Sequence, residues 1–217
     1  MDKWQKELAD NLWQWGAFEF GDYTLASGVK SRIKINLRTR SAINPGPLTE
    51  KNLDTLADYF FSYISEHQLK FDRISGVPSA GSPIAKKVAE KLRRSGARRV
   101  ETPYLPLEKT EKNGVIVVAG NVKYNDTILP IDDVLSTATR KGETLQALEQ
   151  NYCKVTDILV AVDRCLGGKD LLENEGYCVH ALIQLPDVLY HYADSWYINS
   201  LTYGALMEEI ELMPNKM

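Results

Sequence analysis

Apolar residues recur at helical spacing at the start of the chain. Trp4, Leu8, Leu12 and Trp15 lie on one face of an amphipathic helix predicted over residues 2–16. The period then shortens: Gly21 and Gly28 punctuate a stretch in which Ile33, Ile35 and Leu37 alternate with polar residues, the pattern of a small β-hairpin. Thr49 stands where an N-cap belongs, ahead of Leu53, Leu56, Ala57, Phe60 and Ile64 at helical spacing. From Phe71 onward, short apolar runs alternate with helical stretches. Strands are predicted over Phe71–Val77, Val100–Leu105, Val115–Ala119, Thr127–Ile131, Val155–Val162 and Tyr177–Ile183, and helices over Ser82–Ser95, 139–150, 168–175 and 186–192. Such alternation packs as a parallel sheet covered on both faces by helices, with sites at the carboxyl ends of the strands.

Composition changes this picture little. With 217 residues, 44% hydrophobic and 25% charged, the chain can bury a sizeable core as one domain. The net charge of −3 gives no global reason to expect nucleic acid or an anionic membrane as partner. No apolar run reaches the length of a membrane span, and residues 1–7 lack a signal peptide's apolar region. Cys153, Cys165 and Cys178 are odd in number and lack metal-ligand spacing, as do His67, His180 and His191. Reduced thiols and a cytoplasmic location are therefore expected. Lys86, Lys87, Lys91, Arg93, Arg94, Arg98 and Arg99 form a basic cluster around a helix; without an aromatic platform it is expected to be a solvated face, an RNA-binding surface being the alternative.

The candidate chemistry concentrates in Thr127-Ile128-Leu129-Pro130-Ile131-Asp132-Asp133-Val134-Leu135-Ser136-Thr137-Ala138-Thr139. A buried strand leads into two carboxylates and then a hydroxyl-rich turn opening onto a helix. Backbone N–H groups at a helix N-terminus, with hydroxyls beside them, suit a phosphate dianion. Adjacent carboxylates can accept hydrogen bonds from two ribose hydroxyls or bind a hydrated cation. The segment resembles the 5-phosphoribosyl-1-pyrophosphate (PRPP) motif of the type I phosphoribosyltransferases. Three further segments extend the resemblance to the orotate phosphoribosyltransferase family: Phe20–Gly28 running on to Ser31 and Ile35–Arg38; Phe71–Pro78 continuing through Gly81–Ala85; and Val162–Asp170 with Gly176 beyond. The similarity spans roughly residues 12–192.

The resemblance implies an α/β type I phosphoribosyltransferase fold: a parallel five-stranded core sheet flanked by helices, with a small N-terminal hood. One domain over 1–217 would comprise a helix and hood (1–48), the α/β core (49–192) and a C-terminal extension (193–217) that packs on the domain or on a dimer partner. It further implies a homodimer in which PRPP donates phosphoribose to orotate, giving orotidine monophosphate and pyrophosphate, with Mg²⁺ carried on PRPP rather than held by protein ligands. Asp132 and Asp133 would hold the ribose, and Val134, Leu135, Ser136, Thr137, Ala138, Thr139 and Arg140 would wrap the 5′-phosphate. Ser79 and Ala80 would face pyrophosphate, and Arg164 would recognise the base, with Ser136, Lys34, Ile35 and Ala26 around it.

Several positions depart from the family pattern. Ala26 stands where a lysine is usual, Arg32 where proline is, Lys34 near an aromatic position, and Ala138 at a glycine. In the loop Pro106–Gly114, an ungapped register puts Glu108 and Glu111 where two lysines belong. A shift of one residue restores the pair as Lys109 and Lys112, the catalytic cations expected here. Two alternatives stay open on these grounds: a different acceptor base, or a PRPP-binding sensor without catalysis.

Overall fold

The computed structural model describes residues 1–24, 28, 30–40, 46–96, 104–110, 114–137 and 139–212, with the side chains of Thr139 and Arg140 outside that description. The opening amphipathic pattern forms α1 (Lys3–Gln14), which buries Leu8, Ala9 and Leu12. A hairpin follows, β1 (Phe18–Thr24) against β2 (Lys30–Ile35), in antiparallel register from Phe18↔Ile35 to Thr24↔Lys30. Helix α2 (Glu50–Glu66) is capped as its sequence demands, the Thr49 hydroxyl accepting from the Asn52 N–H at 3.2 Å.

The central layer then builds strand by strand. β3 (Arg73–Gly76) feeds α3 (Gly81–Ser95), whose chain leaves through Gly96 in the left-handed conformation (φ 65°). β4 (Tyr104–Leu105) pairs in parallel with β3. Next come β5 (Leu107–Lys109) and β6 (Ile116–Val118), followed by β7 (Ile128–Leu135), α4 (Thr139–Gln150), β8 (Asp157–Asp163), α5 (Gly168–Asn174) and β9 (Cys178–Gln184). Helices α6 (Leu185–Asp194) and α7 (Ser200–Leu212) complete the described chain. The main sheet is five-stranded and parallel in the order β4-β3-β7-β8-β9: parallel as the alternation predicts, with the five strands that the resemblance implies.

Two expectations need correction. The Val115–Ala119 run does not join the main sheet: its central residues pair antiparallel with Leu107–Lys109 in a separate ribbon, because a short intervening segment can close a hairpin but cannot carry a parallel crossover. Thr127–Ile131 underestimates β7, which continues to Leu135 because β8 keeps pairing with it, Leu135 opposite Asp163. Residues 100–103 of the predicted fourth strand lie outside the described residues.

The sheet is covered on both faces. Leu129 and Ile131 of β7 pack with α1, α2, α3 and α6 in the larger cluster, while Ile128 joins Ala147 and Leu148 of α4 on the other side. The larger cluster also takes Ile33 of the hairpin and Leu206 and Ile210 of α7. The basic side of α3 is met by acids: Lys91 bonds Asp58 at 2.6 Å and Asp54 at 3.0 Å, and Lys87 pairs with Glu50 at 3.3 Å. No helix among the described residues is long and apolar enough to cross a membrane.

Candidate active site

Strand order reverses direction between β3 and β7, which makes the crevice at their carboxyl ends the place where an open parallel sheet receives a ligand. β3 stops at Gly76, opposite Ile131, whereas β7 runs on through Asp132 and Asp133. The two carboxylates therefore sit within an extended strand, and successive side chains leave such a strand on opposite faces. Asp132 is buried and turned to α4, where Lys141 donates to its Oδ2 at 2.7 Å and to the Val134 carbonyl at 2.8 Å. Lys141 is itself only 5% exposed. Sequence alone does not signal this buried pair, because Lys141 reads there as one more charge on a helix.

Asp133 is half-buried, and its Oδ1 accepts from the Val134 N–H at 2.8 Å. Desolvation of its carboxyl and the negative charge of Asp132 push its pKa well above the ordinary carboxylate value, Lys141 and the Val134 N–H pulling weakly the other way. A carboxyl in this state can hold a proton near neutrality and donate as well as accept.

The turn after β3 lies close to these carboxylates because two glycines allow it. A Cβ on Gly76 would come within 2.4 Å of Ser82 Cα, and one on Gly81 would come within 2.4 Å of the Ile131 carbonyl oxygen and 3.0 Å of Asp132 Cα. Backbone-to-backbone approach of this kind excludes any side chain. Ser79 is exposed and Ala80 half-buried in that turn, and the Pro78–Ser79 peptide is cis.

The fourth segment is docked on the third by the backbone: Arg164 N–H donates to the Leu135 carbonyl and Gly168 N–H to the Ser136 carbonyl, both at 2.9 Å. Arg164 is 4% exposed and does not pair with Asp163, whose Oδ1 instead accepts from the Cys165 N–H. Its Nη2 donates to Ser31 Oγ at 2.9 Å and to the Ile33 carbonyl at 3.1 Å, both on β2 of the hairpin. Its Nε–H is buried with no hydrogen-bond partner among the described residues. Burial lowers the guanidinium pKa to about 10, opposed by the charge of Glu209. The group stays cationic at neutral pH and offers an unused donor, a state completed by an anionic or carbonyl acceptor.

The remaining predicted residues are distributed as follows. Ser136 and Thr137 are half-buried at the strand end, whereas Leu135 is a core residue packed with Ile158 and Val160, and Val134 contributes its carbonyl to Lys141. Ile35 packs against the core cluster. Lys34 forms an ion pair with Glu19 at 3.0 Å, its ammonium 5.5 Å from the Tyr23 ring centroid, so its charge is already matched within the hairpin. Lys109 is exposed at the end of β5, beside exposed Glu108. Ala26, Lys112 and Ala138 lie outside the described residues, as do the side chains of Thr139 and Arg140. A cavity of about 580 Å³ lies along the hairpin rather than over the carboxylates, lined by Asp22, Tyr23, Thr24, Lys30, Ser31, Arg32 and Glu209. The cavity meets Arg164 through Ser31, which lines it and accepts from the guanidinium.

No family model matches the chain. It is 32% identical over 187 residues to uridine 5′-monophosphate synthase of Bos taurus, covering 84% of this chain but 35% of the bovine protein. It is 26% identical to orotate phosphoribosyltransferase of Thermoplasma volcanium, covering 83% of this chain and 98% of that protein. The structure of Leishmania donovani UMP synthase superposes with a TM-score of 0.79 at 29% identity, over 96% of this chain and 42% of that one. The chain thus spans well under half the length of two of these relatives and almost all of the third. The five-stranded parallel sheet in the order β4-β3-β7-β8-β9, flanked by helices, is the type I phosphoribosyltransferase fold. Within that fold, the chain is similar to orotate phosphoribosyltransferases over almost their whole length and to UMP synthases over part of theirs.

Proposed function

We propose that this chain is a pentosyltransferase that moves 5-phosphoribose from PRPP to orotate, yielding orotidine 5′-monophosphate and pyrophosphate in pyrimidine nucleotide biosynthesis. A ring nitrogen of the base bonds to the anomeric carbon as the carbon–oxygen bond to pyrophosphate breaks, the electron pair leaving with pyrophosphate and the nitrogen's proton going to solvent. The observation that carries this reading is Arg164: buried, cationic, hung from the hairpin by one nitrogen, and left with a donor for an acceptor on the base.

The other roles follow from position. Asp133 and Asp132 are assigned to the ribose, the first able to donate or accept and the second an acceptor held by Lys141. Ser136 to Arg140 form the 5′-phosphate turn at the start of α4, and Ser79 and Ala80 the pyrophosphate side. Mg²⁺ enters on the pyrophosphate of PRPP, carried by the substrate rather than by protein ligands. Lys109 and Lys112 supply the loop's positive charge. The protein acts as a single domain in a cytoplasmic homodimer.

The test is loss of orotate absorbance with purified protein, PRPP and Mg²⁺, beside Asp132→Asn/Asp133→Asn. Turnover that vanishes in the control is expected; a folded protein without turnover overturns the orotate assignment. A second reading, PRPP binding without catalysis, is favoured by exposed Glu108 in the loop that should face pyrophosphate. PRPP binding without pyrophosphate release would establish it.

A further inference from the structure

The base-recognising arginine is not held by its own neighbourhood. Its partner Ser31 lies 133 residues away on the hairpin, and Ser31 is in turn held from the C-terminal helix α7, outside the segments that resemble the family. Glu209 of α7 takes the Ser31 hydroxyl at Oε1 (2.6 Å) and the Arg32 N–H at Oε2 (2.9 Å). The hydrogen-bond count at Ser31 makes this contact decisive. Its oxygen accepts from Arg164 Nη2 at 2.9 Å and from the Ile33 N–H at 3.2 Å, which fills both lone pairs. Its single proton has two possible acceptors, Glu209 at 2.6 Å and the Ile33 carbonyl at 2.9 Å. The shorter, charge-assisted bond to Glu209 is the stronger. The Ile33 carbonyl is thereby left to Arg164, which donates to it at 3.1 Å.

We propose that Glu209 is a positioning residue for base recognition: through Ser31 it fixes the Arg164 guanidinium so that its unused edge faces the base. This rests on the orotate reading above and adds to it the device that sets base affinity. A carboxylate in direct contact would occupy the guanidinium fork and cancel its charge. A hydroxyl placed between them orients the fork while the cation remains available to a ligand carboxylate. The unpartnered, buried Nε–H of Arg164 is the independent sign that this edge awaits an acceptor. Loss of Glu209 frees the Ser31 hydroxyl to rotate, its proton turning to the Ile33 carbonyl, and the oxygen that holds Arg164 Nη2 loses its fixed orientation.

The experiment is steady-state kinetics on Glu209→Ala and Glu209→Gln, with Glu208→Ala, an exposed neighbour on the same helix, as control. Glu209→Ala should raise KM for orotate by about tenfold or more while KM for PRPP changes by less than about twofold, and Glu209→Gln should fall between. In a cycle with Arg164→Lys, the double variant should be no worse than Arg164→Lys alone, because Glu209 acts through that guanidinium. Equal rises in both KM values, or additive losses in the cycle, would overturn the proposal. Wild-type turnover of orotate separately tests the reading on which it rests. Should the wild type be inactive on orotate, that reading fails, and the Arg164 Nε–Hε resonance in ¹⁵N-arginine protein decides the inference. A sharp wild-type signal that shifts or broadens in both Glu209 variants supports the positioning role, and an unchanged signal overturns it.

Discussion

Replacing Lys141 by Met tests whether the buried ion pair is what keeps Asp132 in the core. Met keeps the length of the side chain and removes the ammonium that bonds Asp132 Oδ2 at 2.7 Å and the Val134 carbonyl at 2.8 Å. With Asp132 only 6% exposed, water cannot replace what is lost. Breaking a buried pair from one side costs about 3–5 kcal/mol. The variant has one escape, which is to protonate the stranded carboxyl. For an aspartate of ordinary pKa near 3.9 this costs about 4 kcal/mol at pH 7 and about 1.5 kcal/mol at pH 5, at 1.36 kcal/mol per unit. The destabilisation should therefore be about 3–4 kcal/mol at pH 7, a fall in Tm of roughly 10 °C for a chain of this size, and less than half of that at pH 5. Equilibrium urea unfolding at the two pH values measures it. Asp132→Asn/Lys141→Met removes both charges and should recover most of the loss, since a neutral amide leaves no charge stranded. A loss under about 1 kcal/mol at pH 7, or one independent of pH, would refute the reasoning.

Four further outcomes are expected. Asp133→Asn should change the pH dependence of stability: an acid whose folded pKa is raised binds its proton more tightly when folded, so its contribution is full below the ordinary value of 3.8 and is lost as pH rises through the folded pKa. Unfolding of the Asn variant should accordingly lack that decline and gain on the wild type as pH rises. Arg164→Lys should raise KM for orotate by about tenfold or more and leave KM for PRPP nearly unchanged, because an ammonium cannot reproduce the fork. Gly81→Ala places a Cβ 2.4 Å from a carbonyl oxygen, so KM for PRPP should rise several-fold as the turn moves off Asp132. Lys112→Ala should mainly lower kcat, and unchanged turnover would remove that lysine from the mechanism.

What the sequence revealed and what it hid divide along a physical line. Periodicity found the helices and the parallel strands because burial on two faces leaves a local signature, as in Leu53, Leu56, Ala57, Phe60 and Ile64 of α2. It misplaced the end of β7 because whether Asp132 and Asp133 are strand or loop depends on how far β8 continues beside them, which is a property of the pairing. It placed Arg164 beside a turn, but its partners are 131 and 133 residues distant. Lys141 and Glu209 were invisible for the same reason: a charged residue on a helix reads as solvated until the fold shows which way it points. Lys34 is the reverse case, conspicuous in sequence and neutralised by Glu19 across the hairpin.

The two halves of the proposed substrate site hang from different parts of the molecule. The carboxylates and the phosphate turn are fixed within the main sheet and α4, through the Lys141 pair and the pairing of β7 with β8. The base side is fixed through the hairpin and α7, since every described side-chain hydrogen bond of Arg164 leads to β2 and from there to Glu209. Perturbations of the hairpin or α7 should therefore appear in the affinity for the base, and perturbations of β7 or α4 in the affinity for PRPP. This division also bears on the departures from the family pattern. Arg32 and Lys34 fall on the hairpin side, so whatever they change is expected in the choice of base, while replacing Glu108 is expected to show in the step that releases pyrophosphate. Placing an aromatic side chain on β2 with Lys34→Tyr removes the cation paired with Glu19 and leaves that carboxylate the Asn36 amide. If base stacking is what the lysine has displaced, KM for orotate should fall in that variant while KM for PRPP stays fixed; a change in PRPP affinity instead would show that hairpin and sheet are not independent.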